Sequence, residues 1–130
     1  MGRIRTSITI NARPRWALFD TGAVNSYIVE GETGGLQVWR LPAVERAAFG
    51  GKVHEVRSEC LLIFSIEDYL YRTRARVVKE IGRDEEGREI KVLIGSLTME
   101  EWRIRPIPDE NRLDLSGYPR EFVEFFLGKG

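Results

Sequence analysis

Ala17-Leu18-Phe19-Asp20-Thr21-Gly22-Ala23 runs three apolar residues straight into a carboxylate and then turns. A carboxylate at the end of a buried strand is costly unless hydrogen bonds hold it, and such placements are usually functional. Gly22 permits the tight turn that aims backbone N–H groups back at the Asp20 carboxylate. Asp20 is therefore the first candidate for chemistry in this chain.

Working outward, the period is mostly two. Residues 3–10 place Ile4, Ile8 and Ile10 on one face and Arg3, Arg5, Ser7 and Thr9 on the other. Residues 16–19 and 27–29 read as strands, and Gly34-Gly35 marks a turn before an extended stretch to Leu41. Residues 43–49 fit one helical turn or a loop. Gly50-Gly51 is a strong turn signal, with long strands expected over 53–66 and 69–78 and a charged hairpin tip over 82–87. Residues 90–94 are apolar and end at Gly95. A short helix is expected over 96–102, with Ser96 as its cap and early acids at its positive end. Short strands over 103–107 and 111–115 follow. Pro119 is expected to open a small helix carrying Phe122, Phe125 and Phe126 on one side. Many short strands with little helix point to a closed, mostly-β barrel.

The chain's 130 residues suit one domain with a sizeable core. Twenty basic residues balance twenty acidic ones, which argues against a general binder of nucleic acid or anionic membrane. No apolar run approaches the roughly 18 to 20 residues that span a bilayer. The start reads as a strand rather than a leader. The lone Cys60 permits no intrachain disulfide, so a cytoplasmic setting is expected. Cys60 itself lies in an apolar run and reads as an inert core thiol.

Asp20-Thr21-Gly22-Ala23, followed by Asn25-Ser26, resembles the active-site loop of retropepsin-like aspartic proteases. A second element agrees: the apolar run Val92-Leu93-Ile94 ends in Gly95 before a short helix. In that family two apolar residues and a glycine pass under the catalytic loop and lead into the helix, which here implies a bracing role for Leu93, Ile94 and Gly95. The resemblance covers residues 3–115, with 116–130 as a C-terminal extension. Val24 departs from the polar or small residue that many members carry. The resemblance implies an acid-protease-type barrel and a peptidase that needs neither metal nor cofactor.

Hydrolysis of a peptide without a metal or a nucleophilic side chain needs a general base for water and a general acid for the carbonyl oxygen. Two carboxylates about 3 Å apart do both by sharing one proton, as in the aspartic proteases. This chain has a single Asp-Thr-Gly. The second carboxylate is therefore expected from another copy, in a homodimer with Asp20 facing Asp20 across a two-fold axis. By the resemblance, the Thr21 hydroxyl reaches across to the partner loop, the Gly22 N–H holds a carboxylate oxygen, and Ser26 braces the loop. A hydrogen bond to the charged form lowers a carboxyl's pKa, and Ala23 offers no side-chain donor, so activity is expected to extend toward mildly acidic or neutral pH. Phe49-Gly50-Gly51-Lys52 is taken as the tip of a flap closing over an extended polypeptide substrate, which would bind as an added strand.

Other residues have plainer readings. His54, the only histidine, has no metal-ligand cluster around it and reads as a surface strand position. Arg72, Arg74 and Arg76 read as a solvated strand face, and Trp16, Trp39 and Trp102 as core. A triad of Ser58, His54 and Asp68 lacks a nucleophile turn. The rival to an enzyme is a dimeric peptide-binding or scaffold module of the same fold with little or no catalysis.

Overall fold

The alternation over residues 3–20 folds as a hairpin of β1 (Arg3–Ile10) and β2 (Arg13–Asp20) in the computed structural model, which describes residues 2–119. Asn11 and Ala12 form its two-residue turn with φ of 50° and 66°. This is the left-handed pair that matches the right-handed twist of the strands. The register runs from Ile10↔Arg13 back to Arg3↔Asp20.

Among the described residues nine further strands follow: β3 (Ser26–Val29), β4 (Gln37–Phe49), β5 (Lys52–Ile66), β6 (Tyr69–Val78), β7 (Gly82–Arg83), β8 (Glu89–Ile90), β9 (Val92–Ile94), β10 (Arg105–Ile107) and β11 (Arg112–Asp114). Among the described residues one α-helix, α1 (Ser96–Trp102), lies between β9 and β10. The main sheet has the order β1-β2-β9-β3-β6-β5-β4. The domain is mostly β, but the expected closed barrel is not formed. β1 meets β5 at the single pair Thr9↔Ser65. The reason is that β4 occupies that edge of β5 through Leu61, leaving only its end for β1.

Alternation distributes the side chains over both faces of the curled sheet. Ala17, Phe19, Ile28, Cys60, Leu62, Phe64, Val92 and Ile94 enter the main core with Met99, Trp102 and Tyr118. Leu18, Tyr27, Val29, Val56 and Leu93 build a second apolar cluster on the opposite face. Burial pushes the Cys60 thiol up to about 11, with Glu59 adding to the effect, which makes it inert at neutral pH.

Three expectations are corrected. Residues 43–49 are strand, not helix or loop. Pro42 has no N–H for the ladder, so the β4–β5 register slips between Arg40 and Glu45 and pairing then resumes as far as Phe49↔Lys52. His54 is buried, and Trp39 is exposed. The helix expected after Pro119, with Phe122, Phe125 and Phe126, lies outside the described residues. Tyr118, beyond the boundary drawn at 115, packs edge-on against Tyr71 and stacks on Trp102.

Candidate active site

β2 delivers Asp20 to the point where two strand pairings end. β9 runs parallel to β2 with Phe19 opposite Ile94, and β1 runs antiparallel with Arg3 opposite Asp20. The chain then turns: the Ala23 N–H donates to the Asp20 carbonyl at 3.1 Å, and the Gly22 N–H donates to Asp20 Oδ1 at 2.8 Å. The latter is the contact expected of Gly22. The Asp20 side chain is 14% exposed, so it is reachable yet mostly surrounded by protein. Its other oxygen, Oδ2, lies 3.4 Å from Arg3 Nε.

The loop is fastened from below by Gly95. A Cβ at that position would lie 2.3 Å from the Asn25 carbonyl oxygen and 2.7 Å from that of Val24, both backbone atoms. Only glycine lets β9 pass so close. The helix that follows is capped by the loop itself rather than by Ser96. Ser96 and Leu97 donate their N–H groups to the carbonyls of Ala23 and Val24, at 2.7 and 3.2 Å. Gly95 occupies the N-cap position without a side-chain bond, and no acid lies in the first turn. The expected cap and acids are thus replaced by two loop carbonyls, which satisfy helix N–H groups equally well.

Ser26 is the node of a buried hydroxyl chain. Its Oγ accepts the Gly95 N–H at 3.0 Å and bonds Thr98 Oγ1 at 2.8 Å, and Thr98 bonds Thr73 Oγ1 at 2.8 Å. Loop, helix and β6 are thereby joined. Replacing Ser26 with Ala leaves the buried Gly95 N–H without its acceptor, a loss of about 1–3 kcal/mol. Urea unfolding should show a midpoint lowered accordingly, with Ser26→Thr recovering part of it.

Within the single chain the Thr21 hydroxyl is held by Gly2. It accepts the Gly2 N–H at 2.9 Å and donates to the Gly2 carbonyl at 3.2 Å. The Thr21 N–H donates to that same carbonyl at 2.9 Å.

The β4–β5 hairpin turns at Gly50-Gly51, with φ of +60° and +75°, which explains the paired glycines. Phe49, at the tip, lies on Tyr27 with ring centroids 4.6 Å apart and stacks on His54 at 3.8 Å. His54 Nε2 lies 3.2 Å from the Phe49 carbonyl oxygen. The tip thus packs on the second apolar cluster, the face that carries Leu18, Ala23, Tyr27 and Leu93 from the loop and its neighbours.

Sequence reading missed Gly2, Arg3, Thr73 and Thr98. Arg3 had a signal: counting back from a two-residue turn at Asn11-Ala12 sets it opposite Asp20. The two threonines had none, because their partnership depends on how the helix docks against β6.

No protein-family model matches the chain. No curated protein matches it. Its fold does match the crystal structure of the retroviral protease-like domain of Ddi1 from Leishmania major. The TM-score is 0.61 and the identity 16%, over 88% of each chain. The chain therefore has a retropepsin-like fold.

Proposed function

We infer that this chain, with its retropepsin-like fold as premise, is an aspartic endopeptidase whose catalytic pair of carboxylates forms across a homodimer. The observation that carries the reading is the Asp20 loop. A mostly buried carboxylate has one oxygen held by the Gly22 N–H at 2.8 Å, on a loop locked in place by Gly95. With one oxygen held, the other, which in the single chain lies 3.4 Å from Arg3 Nε, is the one that would exchange a proton with water or with a second carboxylate once Arg3 moves aside. One Asp20 as base and its mate as acid would together activate water and protonate the scissile carbonyl. Thr21, Gly22, Ala23 and Ser26 support the loop, and Leu93, Ile94 and Gly95 brace it. Phe49, Gly50 and Gly51 cover an extended polypeptide. Leu18, Tyr27 and Leu93 are buried, with Phe49 lying on Tyr27; lifting the hairpin tip would bare part of this apolar cluster to apolar side chains of that substrate. A cytoplasmic setting belongs to the same proposal; among the described residues no helix is long and apolar enough to cross a membrane.

The test is digestion of unfolded casein from mildly acidic to neutral pH. Cleavage should be blocked by a statine-type inhibitor, and activity per milligram should fall on dilution as dimers separate. A strict monomer that still digests casein overturns the dimeric site. A dimer that binds peptides and never cleaves them supports the scaffold reading instead.

A further inference from the structure

Gly2 and Arg3, at the start of β1, hold the groups that a second subunit would need. The Thr21 hydroxyl has both of its hydrogen-bonding roles taken by Gly2, at 2.9 and 3.2 Å. Asp20 Oδ2, the oxygen not held by Gly22, carries the Arg3 guanidinium at 3.4 Å. Both contacts lie at the surface: Thr21 is exposed and the Arg3 side chain is 50% exposed. Such contacts are weak enough for an incoming partner to displace.

We propose that Gly2 and Arg3 form an intramolecular clasp that competes with the second copy of the chain for Thr21 and Asp20, so that opening it regulates assembly of the active dimer. This rests on the dimeric site proposed above. The chemistry is a simple exchange. In the separated subunit the Asp20 carboxylate is neutralised by Arg3 of its own chain. In the dimer that carboxylate must face another carboxylate with a shared proton, and a guanidinium on Oδ2 stands in the way. Both subunits must open, so a cost of about threefold per subunit multiplies to roughly tenfold in the dimer dissociation constant.

The experiment is sedimentation equilibrium of the full chain, alongside casein cleavage, for wild type, Arg3→Gln, Asp20→Asn and the double variant. Arg3→Gln should tighten the dimer roughly tenfold and raise casein cleavage at low protein concentration. In the Asp20→Asn background, where there is no carboxylate charge to hold, the same change should alter dimerisation by less than about twofold. Arg3→Lys, which keeps the charge, should stay close to wild type. Raising salt from 0.1 to 1 M should tighten the wild-type dimer more than that of Arg3→Gln, because the exposed pair is screened. A dimer unchanged or weakened by Arg3→Gln overturns the clasp and leaves the peptidase reading standing. The absence of a dimer from all five proteins overturns both.

Discussion

Asp20→Asn should leave a folded protein that no longer cleaves casein, with kcat reduced by at least about 10⁴-fold. A single general acid or base contributes about 10²–10⁴-fold, and in a symmetric pair the one substitution removes both. On the proposed reading peptide would bind through the apolar cluster and backbone bonds rather than through Asp20, so its binding should change little. KM is therefore expected to stay within a few-fold of wild type. Fold retention follows from the position: Asp20 ends β2 and contributes its side chain to one turn bond and one half-exposed ion pair. Mixing adds a sharper result. When equal amounts of wild type and Asp20→Asn exchange subunits, only about one quarter of the dimers carry two aspartates. Activity per wild-type chain should then drop by about half. A monomeric enzyme with its own complete site would lose nothing per wild-type chain.

Gly95→Ala should be the most destabilising glycine-to-alanine change among the described residues. The new Cβ would press on two backbone oxygens at 2.3 and 2.7 Å, and those carbonyls belong to the loop that positions Asp20. Neither can swing away as a flexible side chain would, so β9 or the loop must shift. The Ser96 and Leu97 N–H bonds to the loop would be lost with it. Overpacking of this kind costs about 3 kcal/mol or more, which corresponds to a fall in Tm of about 10 °C or more. Gly51→Ala is the control. Its φ of +75° is unfavourable for alanine, but no atom lies within 4 Å of the new methyl. Its cost should be about 1–2 kcal/mol and confined to the hairpin tip. Thermal unfolding of the two variants separates a lack of space from a backbone preference.

What the sequence made legible was set by local pattern. The alternation over residues 3–10 and the glycine turn at 50–51 each carry a short-range rule, and the structure follows both. The loop was legible for the same reason: Asp20 and Gly22 lie two residues apart, and their bond is local. The 43–49 segment misled because Ala43, Glu45, Arg46, Ala47 and Ala48 are good helix formers. Its conformation is decided instead by the β5 ladder, which resumes beyond the Pro42 interruption. His54 misled because alternation gives only which face a residue takes. That its face would be covered by Phe49 depends on where the hairpin folds. The Ser26–Thr98–Thr73 hydroxyl chain joins positions 72 and 25 residues apart. No spacing rule encodes such a meeting.

The slip in β4 at Pro42 has a mechanical consequence. β6 pairs with β5 only from Ser58 onward, so among the described residues the arm spanning Glu45 to Val56 has no strand neighbour except its own other half. Pro42 interrupts one leg of this arm at nearly the level where the other leg leaves β6. The two points together make a pivot, and the arm can swing as one stiff lever without breaking a rung of its own ladder. Side chains anchor the lever: Ala47 and Val56 are buried in the second apolar cluster, Glu45 pairs with Arg76 at 2.8 Å, and Phe49 rests on Tyr27 at the far end. A peptide entering beneath the arm would have to prise off these side-chain contacts, but no rung of backbone pairing.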